Sequence, residues 1–135
     1  MNRPPIPIAL SLLALAAMPL QAANELQVRQ SGNVAYVSGG VSEEARDSLQ
    51  ALAPGFSVKL VLATKSGAYL SDVAIAVDDA AAKRVLDAKS DGPWFFAKLP
   101  PGRYQIAATA NGATVRKAVT VGAQGLSTVD YRGDD

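Results

Sequence analysis

The chain has 135 residues, with 13 Lys and Arg, 12 Asp and Glu, and neither histidine nor cysteine. This length leaves room for one domain, and the near balance of charge predicts no binding to nucleic acid, which needs clustered positive charge. The missing residue types exclude an imidazole base, a thiol nucleophile, an ordinary zinc site, disulfides and lipid attachment at a cysteine.

The first 22 residues are typical of a secretory signal peptide. Arg3 gives a positive start, an apolar run extends from Ile6 to Leu20, and small residues follow. The run is shorter than the roughly 20 apolar residues that a bilayer span needs, and prolines interrupt it. We therefore expect cleavage after Ala22 and a periplasmic or secreted protein without stable membrane insertion. An uncleaved membrane anchor is the less favoured alternative.

Residues 23–55 are predicted to form an irregular N-terminal lead segment, a short strand and one helix. Asn24 to Ser31 is polar and predicts a loose lead, whereas Asn33 to Val37 alternates like a short strand. The helix is predicted for Glu43 to Leu52, because Ser42 is a natural N-cap and acidic residues occupy the first turn. Such a short helix must pack against an apolar surface, since it is not stable alone.

In residues 56–131 apolar residues recur with a period of two, and this pattern predicts about seven strands. Turn signals separate them, and no helical segment lies between them. This pattern predicts an all-β fold, an antiparallel β-sandwich. Two turns have specific chemistry: Pro101-Gly102 predicts a type II turn, and Asn111-Gly112 predicts a two-residue hairpin.

The stretch from Trp94 to Ala108 resembles the carboxypeptidase regulatory-like domains. Their pattern of an aromatic residue, Leu, Pro-Gly and Tyr is matched here by a set of five residues: Phe95, Leu99, Pro101, Gly102 and Tyr104. The segments around Tyr69 and Trp94 also resemble a group of small secreted bacterial proteins with this domain. The resemblance implies a transthyretin-like Greek-key sandwich, a scaffold used for binding, spacing and stabilising neighbouring domains.

The titratable residues do not form a recognisable catalytic pattern. Lys65 adjoins Ser66, and Asp78 adjoins Asp79, but neighbours in a strand or turn rarely face one substrate. Calcium at a turn through Asp87 and Asp91 stays open, although no EF-hand spacing is present. We expect no metal and no cofactor.

The segment 131–133 resembles the tail of the transthyretin-related hydrolases that open hydroxyisourate. Those enzymes work through histidines, and Asp134 stands where they have serine. We interpret this match as coincidence with a polar tail.

The aromatic residues are the candidates for a binding surface. Tyr69, Trp94 and Tyr36 could form a platform for a sugar or a peptide, since exposed rings stack on ligands. The competing interpretation is that Trp94 covers the core or the helix. The sequence thus predicts a non-enzymatic exported interaction or structural module of the cell envelope, with a protein or envelope glycan as partner. The alternatives are a carbohydrate-binding sandwich and, less favoured, a hydrolase of unknown type.

Overall fold

The computed structural model describes residues 27–133, which form nine strands and one α-helix. The predicted signal peptide, residues 1–22, lies outside the described residues. The helix α1 spans Glu43–Leu52 and continues into a 3₁₀ turn at Ala53–Gly55. The strands are β1 Arg29–Ser31, β2 Val34–Gly39, β3 Val58–Thr64, β4 Ala74–Asp79, β5 Arg84–Lys89, β6 Trp94–Ala97, β7 Gly102–Ala110, β8 Ala113–Val121 and β9 Ser127–Gly133.

The strands form two sheets that lie face to face. The five-stranded sheet has the order β1-β2-β6-β3-β9, and the four-stranded sheet has the order β5-β4-β7-β8. The all-β sandwich is therefore as expected, but one pair is not antiparallel. β9 runs parallel to β3, with Val58 opposite Ser127, because the connection after β8 crosses to the other sheet and enters beside the start of β3.

The core between the sheets follows from the alternation in each strand. Every second residue of β3 from Val58 to Leu62, and of β7 from Tyr104 to Ala108, points inward and is buried. The inward set draws on both sheets: Val34, Val58, Leu60, Leu62, Phe95, Ile75, Val77, Leu86, Ile106 and Tyr131 are members.

The helix forms where the sequence predicts it and covers the outer face of β2 and β6. The Ser42 hydroxyl accepts a 3.1 Å hydrogen bond from the Ala45 amide, which satisfies one free donor of the first turn. Leu49 packs against Val37 and Phe96 in a second apolar cluster. The outer side of β9 is not covered in this way, because its outward residues are exposed.

The polar N-terminal lead is ordered as a strand, contrary to expectation. Arg29–Ser31 pairs with Val34 to Tyr36 as β1. The Ser31 hydroxyl then accepts from the Asp87 amide at 3.1 Å and lies 3.4 Å from the Asp87 carbonyl. A three-residue polar strand carries no alternation, so its register depends on this contact with the other sheet.

The two predicted turns have different outcomes. Asn111 and Gly112 have φ of +53° and +81°, as a two-residue hairpin between β7 and β8 requires. The prediction of a type II turn at Pro101-Gly102 is wrong. Gly102 has φ of +157° and is already part of β7, where it pairs with Val121 of β8. The corner is held instead by the Tyr104 hydroxyl, which donates a 2.6 Å hydrogen bond to the Pro100 carbonyl.

Candidate functional site

Tyr69 and Trp94 lie on the same outer face of the five-stranded sheet. Trp94 is opposite Val61 on β3, and Tyr69 forms an isolated antiparallel bridge with Ala63, two residues further along that strand. Opposed residues point to one side of a sheet, and positions two apart share a face, so the backbone positions of Tyr69 and Trp94 lie about 7 Å apart along β3. We call Arg46, Lys59, Tyr69 and Trp94 the aromatic–cationic strip.

Trp94 is half-buried and carries a cation on one ring face. Its indole packs beside Phe96, with ring centroids 6.2 Å apart, and belongs to the cluster beneath helix α1. The ammonium nitrogen of Lys59 lies 3.5 Å from the centroid of the indole. Burial among these groups lowers the pKa of Lys59 below its ordinary value. The Trp94 ring thus supports the helix and is also part of the strip.

Tyr69 is the exposed ring of the strip. It is 56% exposed, and the guanidinium carbon of Arg46 lies 5.5 Å from its ring centroid. Arg46 also donates a 2.9 Å hydrogen bond to the Gly40 carbonyl. A Cβ placed on Gly40 would lie 3.3 Å from Arg46 Cγ and 3.4 Å from Trp94 Cγ. Gly40 therefore lies close to both Arg46, which contacts the Tyr69 ring, and the Trp94 side chain.

The loop that carries Tyr69 is fixed by hydrogen bonds to β3. The Leu70 amide donates to the Leu62 carbonyl at 3.1 Å, and the Thr64 amide donates to the Ala68 carbonyl at 2.8 Å. The loop therefore runs as a short hairpin back along β3, beyond the point where β6 begins. This pairing places the Tyr69 side chain on the outer face.

Tyr36 is not part of this surface, and the expected three-ring platform is wrong. Its ring stacks on Phe95 with a centroid distance of 5.3 Å and an interplanar angle of 12°, and it packs against the core between the sheets. The alternation of β2 explains this, because Val37, its neighbour, points to the helix and Tyr36 must point the other way.

The two cations of the strip were not recognised in the sequence. The alternation of inward and outward residues in β3 puts Lys59 on the outward side. This alternation is the signal from which Lys59 could have been recognised as a site residue. Arg46 is a helix residue whose contact with Tyr69 depends on how α1 lies on the sheet. No local pattern encodes that placement.

The acidic residues are distributed over the surface of the described chain. Asp78 and Asp87 both face Arg84, at 2.5 and 3.5 Å, and Asp91 pairs with Arg29 at 3.5 Å. Between residues 27 and 133 no group of three or more carboxylates is placed to hold a metal ion. Asp87 and Asp91, considered for calcium, thus face different arginines.

Asp79 and a groove beside Pro100 and Pro101 offer no converging pair of carboxylates either. The Asp79 carboxylate accepts from the Ala81 and Lys83 amides at 2.9 and 3.0 Å, so it shapes the turn between β4 and β5. The groove, of about 760 Å³, lies at the end of β3 away from Tyr69. Lys98 is the one titratable residue among its described lining residues.

The segment 131–133 is not a polar tail. Tyr131 is only 2% exposed, and Arg132 and Gly133 continue β9. The Arg132 guanidinium lies 3.4 Å from the Asp130 carboxylate and donates to the Thr64 carbonyl at 3.3 Å. Tyr131 is therefore a core residue between the two sheets.

No protein-family model and no curated protein sequence matches the chain. Among residues 27–133, no helix has the length and apolar character that crossing a bilayer requires. The interpretation of the surface therefore depends on the geometry described above.

Proposed function

We propose that the chain is an exported, non-enzymatic interaction or structural module of the cell envelope, and that the aromatic–cationic strip is its contact surface. The observation that carries the proposal is the placement of an exposed Tyr69 and a half-buried Trp94 on one outer sheet face, with Arg46 beside the Tyr69 ring and Lys59 beside the Trp94 ring. Export is proposed from the signal-like residues 1–22.

We further propose that the sandwich is a transthyretin-like Greek key of the carboxypeptidase regulatory-like kind. The positions of the residues that match the domain pattern support this proposal. Phe95 and Leu99 are buried in the core, and the Tyr104 hydroxyl closes the corner at Pro100. Such a corner is a scaffold element, which is why the proposed function is assigned to the strip and not to the motif.

A carbohydrate-binding sandwich is the second candidate, and the shared face of Tyr69 and Trp94 supports it. A hydrolase is less favoured. The carboxylates of Asp78 and Asp79 are engaged by Arg84 and by backbone amides, whereas a glycoside hydrolase needs two carboxyl groups that face one substrate.

Affinity capture with the tagged mature domain from its own envelope fraction tests the proposal. Wild type is compared with Arg46→Ala/Tyr69→Ala and with Arg103→Ala/Gln105→Ala, which alters exposed residues of the other sheet. A component retained by wild type and by the control pair, but lost from the strip variant, is the expected result. Retention by all three proteins would contradict the assignment to the strip.

A further inference from the structure

Both cations of the strip are free of ion pairs within the described chain. Arg29, Arg84 and Arg132, by contrast, each pair with an aspartate. Among the described residues, Lys59 has two aromatic rings beside its ammonium and no hydrogen-bond acceptor, and Arg46 has the Gly40 carbonyl and the Tyr69 ring. Each cation therefore retains donors that a ligand could use.

The neighbouring acidic residues do not neutralise these two cations by contact. Asp130 on the adjacent strand is paired with Arg132 at 3.4 Å. Glu43, Glu44 and Asp47 are exposed on helix α1, and none of them forms an ion pair with Arg46 or Lys59. The positive charge at the two rings is thus available to a ligand that reaches both.

A cation beside an aromatic ring suits a group that combines a carboxylate with a flat apolar face. A sugar ring that bears a carboxylate has both features, because its C–H face stacks on an aromatic ring while its carboxylate pairs with the cation. Lys59 has a flexible four-carbon stem, so its ammonium can turn from the indole face to a carboxylate. Acidic peptide side chains supply the charge without the flat face.

We infer that the aromatic–cationic strip binds an acidic saccharide, with Lys59–Trp94 and Arg46–Tyr69 contacting neighbouring sugar units. The inference rests on the proposed function and adds the chemical class of the partner. Both rings are positioned along β3, which favours a linear chain of sugars that follows this strand over a small molecule enclosed in a pocket.

The single tryptophan gives a direct measurement, because Trp94 is the only one in the chain. Intrinsic fluorescence of the mature domain is titrated with oligogalacturonate, with a neutral galactose oligomer of the same length, and with polyglutamate. The expected result is a saturable change with oligogalacturonate only, weakened by added salt. No response to oligogalacturonate, or an equal response to the neutral oligomer, would overturn the inference. A response to polyglutamate alone would overturn it in favour of an acidic protein partner.

Matched variants locate the binding. Lys59→Met retains the long stem without the charge and is expected to weaken oligogalacturonate binding by about tenfold or more, as for a lost charge-assisted hydrogen bond. Lys89→Met, on an edge strand of the other sheet, should bind as wild type does. Equal affinity of wild type and both variants would overturn the inference.

Calorimetric titration of the same proteins removes any dependence on the Trp94 signal, and circular dichroism shows whether Lys59→Met is folded. If that variant does not fold, Tyr69→Ala replaces it, because this ring is exposed and should not affect the core. Failure of saccharide binding combined with strip-dependent capture of a protein would reject the inference and leave the proposed function standing.

Discussion

The hydroxyl of Tyr131 donates a 2.8 Å hydrogen bond to the Ile106 carbonyl and so connects β9 of one sheet to β7 of the other. Both residues are almost fully buried. A buried hydroxyl without an acceptor would destabilise the fold, so this bond is part of the reason that the sheets meet in one register.

Tyr131→Phe is expected to lower the free energy of unfolding by about 1–3 kcal/mol, because the Ile106 carbonyl loses a buried partner. Tyr36→Phe is the control, since the Tyr36 ring stacks on Phe95 and its hydroxyl has no hydrogen-bond partner in the described chain. Urea unfolding of the three proteins measures the difference. Equal losses for both variants would contradict the role given to the Tyr131 hydroxyl.

The same hydroxyl predicts a pH dependence. Burial raises the pKa of Tyr131 above its ordinary value of 10.0. The folded state thus keeps a proton that the unfolded chain releases, and this contribution to stability is complete below pH 10 and is lost as pH rises further. The free energy of unfolding of wild type should therefore fall more steeply above pH 10 than that of Tyr131→Phe. Parallel curves would contradict this.

Gly92 provides a test of how closely β2 and the turn before β6 approach each other. A Cβ at Gly92 would lie 2.4 Å from the Gly39 carbonyl oxygen, a distance that requires backbone movement. Gly92→Ala is expected to cost about 3 kcal/mol, as severe overpacking does. Gly55→Ala is the control, because nothing lies within 4 Å of its Cβ position. Thermal unfolding that shows no difference between the two variants would be inconsistent with this contact.

Alternation and turn chemistry were sufficient to predict most of the sandwich. The seven strands from Val58 onward agree with the predicted number, and helix α1, with its cap at Ser42, lies where it was expected, because each has a strong local pattern. The parallel pairing of β9 with β3 could not be predicted, since register between distant strands depends on the path of the connections. The burial of Tyr131 was missed because polar neighbours surround it.

The candidate site was predictable only in part. Tyr69 and Trp94 were candidates because of their residue type, and their shared face became evident only from the pairing of both with β3. Arg46 reaches Tyr69 through the docking of α1, which is a tertiary contact. Tyr36 was assigned wrongly because its face depends on the register of β2 between β1 and β6.

Lys117 is placed to protect the edge of the four-stranded sheet from pairing with another chain. It lies opposite Ile106 on the inward side of edge strand β8, and its ammonium donates to the Asp130 carbonyl and lies 5.4 Å from the Tyr131 ring centroid. An inward-pointing charge on an edge strand opposes pairing with another chain. Lys117→Val should increase self-association in light scattering, whereas the outward Arg116→Val should not. Identical masses for all three proteins would contradict this role.

Export is tested by intact mass. If residues 1–22 are removed after Ala22, protein purified from the periplasm or medium of the producing cells should begin at Ala23. Replacing Ala22 with Gln should slow the removal, because the exit position requires a small residue. A full-length chain retained in the membrane would contradict the proposal.

The most direct test of the strip is an NMR titration of the mature domain with solubilised material from its own cell envelope. Trp94 gives one indole N–H signal, and the amides of Tyr69, Arg46 and Lys59 report on the rest of the strip. We expect chemical-shift changes that concentrate on these residues and saturate. Shifts that concentrate on the four-stranded sheet, or around the groove beside Pro100 and Pro101, would contradict it.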